Sequence, residues 1–213
     1  MKGSLKAVLA AGALVATSSL VWRVAARRRS LPCPPWLGWM LENGYMNGVA
    51  GSGLLLERAE LRPGQRVLDA GCGPGRITLP AAERVGPDGE VVALDLQPTM
   101  LARLAERLVG RGVTNVRVVQ GGLGEGLLEH AYFDRAFLVT VLGEIPDRER
   151  ALREVFGSLR PGGVLSITEV LPDPHYQSLG TVRQLAARVG FRADRVHGRL
   201  PTYTVNLVKP VEQ

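Results

Sequence analysis

Val67-Leu68-Asp69-Ala70-Gly71-Cys72-Gly73-Pro74-Gly75 carries a short apolar, β-rich run straight into three glycines, and a helical pattern begins near Arg76. Glycines at such a junction permit a tight turn and close backbone approach to a ligand, while the start of the following helix offers free amide donors. A glycine-rich strand-to-helix turn alone has no ligand chemistry, so the flanking residues decide the reading. Asp69 sits inside the strand end just before the loop, a placement suited to a cationic amine more than to a pyrophosphate. The spacing is GxGxG, without the GxGxxG of dinucleotide binders. Further on, Val91-Val92-Ala93-Leu94 ends in Asp95, and a carboxylate closing a second strand can accept both hydroxyls of a ribose. A solvated turn aspartate is the alternative there.

Outward from this loop the pattern alternates. Arg66–Ala70, Glu90–Leu94, Val116–Gln120, Arg135–Val139 and Val164–Glu169 read as strands. Arg76–Val85, Thr99–Val109, Arg148–Leu159 and Ser178–Val189 read as helices, with a brief one at Leu54–Glu60. Strands alternating with helices predict an α/β fold, a Rossmann-like doubly wound sheet that is mostly parallel. Phe191–Val196 and Tyr203–Val208 read as two further strands with no helix between them, which brings in an antiparallel C-terminal strand.

In this order and spacing, residues 54–170 resemble the class I S-adenosylmethionine-dependent methyltransferases. VLDAGCGPG is similar to their first motif and VVALDLQPTML to their second. Phe133-Asp134-Arg135-Ala136, with Leu142-Gly143-Glu144-Ile145-Pro146-Asp147, resembles their fourth-strand region, and Leu159 to Leu165 the turn into their fifth strand. The likeness leans toward the small-molecule branch that includes the ubiquinone/menaquinone-biosynthesis C-methyltransferases. It implies S-adenosyl-L-methionine as cofactor, with Asp69, Gly71, Gly73 and Gly75 on its methionine moiety. It also implies Asp95 on the ribose hydroxyls and Leu96 against the adenine. The third motif departs from the family: Gly121-Gly122-Leu123 stands where relatives often have Gly-Asp-Ala. Backbone groups of Gly122 and Leu123 then take the adenine contact, with Glu125 nearby. The frequent His-His pair before the Ile-Pro-Asp turn is replaced by Gly143-Glu144.

Methyl transfer from a sulfonium is an in-line displacement, so alignment and exclusion of water carry much of the rate. Groups able to polarise or deprotonate an acceptor are Glu144, Glu169, Asp173, His175 and Tyr176, after the fourth and fifth strands where open α/β sheets place ligands. Glu144 and His175 are the leading catalytic candidates; a capping or solvated side chain is the bland reading of each. Cys33 and Cys72 provide neither a disulfide framework nor a four-thiolate zinc site, and His130, His175 and His197 lack ligand spacing, so no metal is expected. The same shortage of thiols disfavours arsenic methylation.

The chain has 213 residues and a formal net charge of +6. Lys2, Lys6, Arg23, Arg27, Arg28 and Arg29 hold that whole excess, and residues 1–29 contain no acid. The remainder is neutral, which argues against nucleic acid as a partner. Ala7–Trp22 is free of charge. As a helix it is short for a bilayer, though Leu5 and a snorkelling Lys6 extend it. We read residues 1–30 as an N-terminal hydrophobic helix and membrane anchor, and residues 31–213 as the catalytic domain, with 31–60 forming a lid and N-terminal helices. The Arg cluster after the run places the body on the cytoplasmic face. A cleaved signal peptide or an organellar targeting peptide are the alternatives. Trp36 to Met46 is rich in Trp, Met and Tyr, suiting either a lid over a lipophilic acceptor or a helix packed on the core.

The expected function is methyl transfer to a small acceptor, lipophilic ones included, at a membrane surface. A nicotinamide-dependent oxidoreductase shares the strand–glycine–helix logic but wants GxGxxG. A non-catalytic cofactor-binding scaffold is the third reading, and protein or RNA methylation the fourth.

Overall fold

The computed structural model describes residues 50–171 and 173–211. The expected anchor, the Trp36–Met46 segment and Cys33 lie outside the described residues. No helix among those described is long and apolar enough to cross a membrane.

The described elements run α1 (Ser52–Arg58), β1 (Arg66–Ala70), α2 (Thr78–Val85), β2 (Glu90–Asp95), α3 (Pro98–Arg111), β3 (Val116–Gln120) and β4 (Phe133–Val139). A 3₁₀ turn at Leu142–Glu144 leads to α4 (Arg148–Ser158), β5 (Leu159–Val170), α5 (Leu179–Val189), β6 (Arg192–Arg199) and β7 (Thr202–Val208). Local chemistry sets these boundaries. Pro98 opens α3 with its φ already helical, and Gly112 ends it in the left-handed conformation. Asp147 caps α4 by accepting from the Arg150 amide, and Ser178 caps α5 by accepting from Thr181.

One seven-stranded sheet forms in the order β3-β2-β1-β4-β5-β7-β6. Strands β1 to β5 pair in parallel; β7 is antiparallel to both β5 and β6. The order reverses beside β1, so a crevice opens at the carboxyl ends of β1 and β4. Alternation along the strands divides the core between the two faces. Leu68, Ala70, Ala136, Leu138, Leu165 and Ile167 pack with Leu152 and Val155 of α4 and Val182 and Ala186 of α5. Val67, Val91 and Phe137 face Leu55 and Leu56 of α1 and Ala81 and Ala82 of α2. Full burial of a side chain such as Phe137 or Leu56 contributes about 1.5–3 kcal/mol.

Two expectations need correction. Arg160-Pro161-Gly162-Gly163 reads as a turn, yet it lies within β5. The Gly162 amide donates to the Lys209 carbonyl, the Lys209 amide to Gly163, and a register shift against β4 absorbs the irregularity. The glycine loop also extends further than expected: α2 begins at Thr78, two residues beyond Arg76. Between β3 and β4, residues 121–132 contain no helix. Glu154 of α4 organises that stretch instead, accepting from the amides of Gly124, Leu127 (2.6 Å) and Leu128 (3.1 Å).

Candidate active site

A cleft of about 360 Å³ lies over the carboxyl ends of β1, β2 and β4. Its floor is the glycine loop, which is tied to the second strand: the amides of Gly71 and Cys72 both donate to the Leu94 carbonyl, at 2.8 and 3.1 Å. Gly71 has φ +72°, and a Cβ there would lie 2.4 Å from a methyl of Val141. Only a glycine lets the loop approach the wall that follows β4.

Asp95 organises the cleft. Its Oδ2 accepts from the Gly73 amide and its Oδ1 from the Gln97 amide, both at 2.8 Å. Each carboxylate oxygen retains capacity for a second donor. The carboxylate is therefore fixed before any ligand arrives.

Leu96 is 56% exposed and lines the cleft with Met100, Leu123 and Ile145. An exposed leucine beside a polar loop provides a flat apolar contact for a ring. Glu125 lines the same end, and its carboxylate folds back against Gly122, where a Cβ would meet it at 2.9 Å. A carboxylate therefore lies beside Gly122, carried by the residue three positions later.

On the opposite side, Thr140 leaves β4 with φ +58°, a rare conformation for a β-branched residue. Its amide donates to the Thr168 carbonyl at 2.8 Å, and its hydroxyl to the Val139 carbonyl at 2.6 Å. This kink turns Val141 and then Glu144 toward the cleft, which both line. Arg148 secures the turn by donating to the carbonyls of Leu142 and Gly143, at 3.1 and 3.0 Å.

The sequence of the floor and first wall matches the family described as "Methyltransferase domain" over residues 67–163. Residues 67–163 thus match a methyltransferase domain, and the chain is similar to the class I S-adenosylmethionine-dependent methyltransferases. The chain is 36% identical over 132 residues to a ubiquinone/menaquinone biosynthesis C-methyltransferase of Ectopseudomonas mendocina, covering 58% of this chain and 52% of the relative. It is 34% identical over 131 residues to a nocamycin O-methyltransferase of Saccharothrix syringae, covering 61% and 47%. It spans about half the length of these curated relatives. A solved S-adenosylmethionine-dependent methyltransferase from Aquifex aeolicus has the same fold, with TM-score 0.76 at 22% identity over 84% of this chain and all of that one.

Within the methyltransferase domain, the residues expected at the cofactor separate into two groups. Gly71, Gly73, Asp95, Leu96, Gly122 and Leu123 line the cleft. Asp69 and Gly75 lie beneath it. Asp69 is buried, and its Oδ2 accepts from the Thr78 hydroxyl at 2.6 Å, so it joins the strand end to the start of α2. Burial pushes its carboxyl up to about 6, against the lowering effect of the Thr78 hydrogen bonds. A Cβ on Gly75 would meet Leu104 of α3 at 2.5 Å, so that glycine serves helix packing. Cys72 is buried beside Leu101 and Leu104. Burial, with Asp69 and Asp95 adding to it, holds the thiol far above its ordinary range and keeps it a thiol.

Of the two catalytic candidates, Glu144 lines the cleft and His175 does not. His175 is buried behind the wall, with its carbonyl against Gly143. Sequence reasoning missed Thr140 and Val141. A threonine ending a strand has no distinguishing signal until the backbone angle is known.

Proposed function

We propose that the chain transfers the methyl group of S-adenosylmethionine to a small, lipophilic acceptor, with its domain held at a membrane surface by the N-terminal segment. The observation that carries this reading is Asp95, immobilised by two amides at the rim of a cleft whose floor is bare backbone. The residues fit the cofactor. Asp95 would take the ribose hydroxyls, Leu96 the adenine face, and the amides of Gly122 and Leu123 with Glu125 the adenine edge. Gly71 and Gly73 would let the methionine portion lie on the loop. Asp69 would act from beneath, as the negative charge under the amino group.

The bound cofactor supplies an electrophilic methyl on a sulfonium sulfur. The chain then has to bring a nucleophile in line and keep water out. Thr140, Val141, Glu144 and Ile145 form the wall facing that point, so Glu144 would orient the acceptor or take its proton. His175 would act by positioning this wall. One relative is a C-methyltransferase and the other an O-methyltransferase, so the matched region does not carry the acceptor atom.

Membrane association rests on the charge-free Ala7–Trp22 run between basic residues. The discriminating experiment incubates the full chain with methyl-labelled S-adenosylmethionine and a total membrane lipid extract. Label in the organic phase supports the proposal. Label confined to added protein or RNA, with none in lipids, refutes the acceptor class. Membrane fractionation with N-terminal sequencing tests the anchor: a soluble chain beginning near Arg27 contradicts it.

A further inference from the structure

Glu169 is 1% exposed at the end of β5 and contributes nothing to the cleft lining. Strand alternation puts it on the α4–α5 face with Leu165 and Ile167, directly across from Tyr203 of β7. Its Oε2 accepts from the Gln177 amide at 3.0 Å, while its buried Oε1 has no hydrogen-bond partner among the described residues. Gln177 is bound twice more: its carbonyl accepts from the Tyr203 hydroxyl at 2.8 Å, and its side-chain amide donates to the His175 carbonyl at 2.6 Å. That carbonyl oxygen lies where a Cβ on Gly143 would come within 1.9 Å, so the two backbones are in direct contact. Gly143 is bonded in turn by Arg148, and the next residue, Glu144, lines the cleft.

We propose that Glu169, Gln177 and Tyr203 are positioning residues that latch the His175 loop onto Gly143 and thereby set the acceptor-side wall that carries Glu144. The proposal rests on the cleft being the acceptor site. A buried carboxyl with one oxygen unbonded is tolerable when neutral and costly when ionised. Burial, the largest cause, pushes the Glu169 carboxyl up to about 8, and the nearby Asp173 and Glu144 act in the same direction against the Gln177 amide and Arg148. Among the described residues, Tyr176 and Tyr203 also interact with it, and both are held above the ordinary phenol range by burial first and by Glu169 second. Ionisation above pH 8 places an unpaired charge in the latch and draws water into it, which releases His175 from Gly143.

The test is hydrogen–deuterium exchange on the full chain with S-adenosylhomocysteine bound, corrected for the intrinsic pH dependence of exchange, from pH 6.5 to 9. Segments 140–147 and 171–179 of the unsubstituted chain should lose protection together, with a midpoint near 8. Glu169→Gln keeps a neutral group and should hold protection to pH 9. Glu169→Ala should expose both segments at every pH, while S-adenosylhomocysteine affinity, measured by calorimetry, changes less than about two-fold. The latch is overturned if Glu169→Gln loses protection at the same midpoint, or if 171–179 opens while 140–147 stays protected. Failure of S-adenosylhomocysteine to bind the unsubstituted chain would strike the cofactor reading and not the latch, because exchange can be followed in the free chain.

Discussion

Gly71→Ala places a methyl group where the structure has no room and the backbone has the wrong hand for it. The φ of +72° costs an L-residue about 1–2 kcal/mol. The new Cβ would lie 2.4 and 2.8 Å from the two methyls of Val141, an overlap whose relief costs about 1–3 kcal/mol. Together the change should destabilise the chain by about 2–5 kcal/mol, a fall in Tm of roughly 5–15 °C. Gly73→Ala is the control: it shares a positive φ, +53°, but meets nothing within 4 Å, so only the backbone cost of about 1–2 kcal/mol applies. Urea unfolding of both variants, and of Gly71→Ala combined with Val141→Ala, separates the two contributions. The double variant should recover the steric part, leaving Gly71→Ala close to Gly73→Ala. Equal costs for Gly71→Ala and Gly73→Ala, or no coupling between positions 71 and 141, would refute the close approach of the glycine loop to the β4 wall.

Asp95→Ala removes the acceptor for the Gly73 and Gln97 amides as well as for ribose hydroxyls, and should weaken S-adenosylmethionine binding by about 1.5–3 kcal/mol in calorimetry. Glu144→Gln should leave cofactor affinity unchanged and lower turnover of label into the lipid extract, by about 10²–10⁴-fold if Glu144 removes a proton and by less if it only orients the acceptor. Stability should decline from pH 5 toward pH 8. Glu169 is raised from 4.5 to about 8 in the folded chain, so it binds a proton that the unfolded chain has already released. Its stabilisation is complete below the unfolded value and is lost as pH rises through the folded one, at about 1.4 kcal/mol per pH unit. Glu169→Gln should flatten that slope in denaturant titrations, and an unchanged slope would mean that Glu169 is ionised throughout.

Periodicity was enough to locate the described strands and helices other than β5 to within three residues, because turn residues separate most of them and the helices carry one apolar face. Residues 160–163 escaped it, because Pro and Gly signal a turn by local preference while pairing across the sheet with Lys209 keeps them extended. The glycine-loop side of the cleft was legible because Gly71, Gly73 and Asp95 shape it through backbone geometry and strand position, which spacing encodes. The wall after β4 was much less so. Thr140 depends on a backbone angle, Glu125 on a side chain folding back over two glycines, and His175 on a contact with Gly143 between distant segments. Proximity of that kind is set by tertiary packing, and no local pattern announces it.

Calorimetric titration of the full chain with S-adenosylhomocysteine and, separately, with NADH tests the central claim most directly. A cleft ordered by Asp95 and floored by GxGxG should bind S-adenosylhomocysteine at one site per chain, lose most of that affinity in Asp95→Ala, and leave NADH unbound. Binding of NADH, with none of S-adenosylhomocysteine, would contradict the assignment of the cleft.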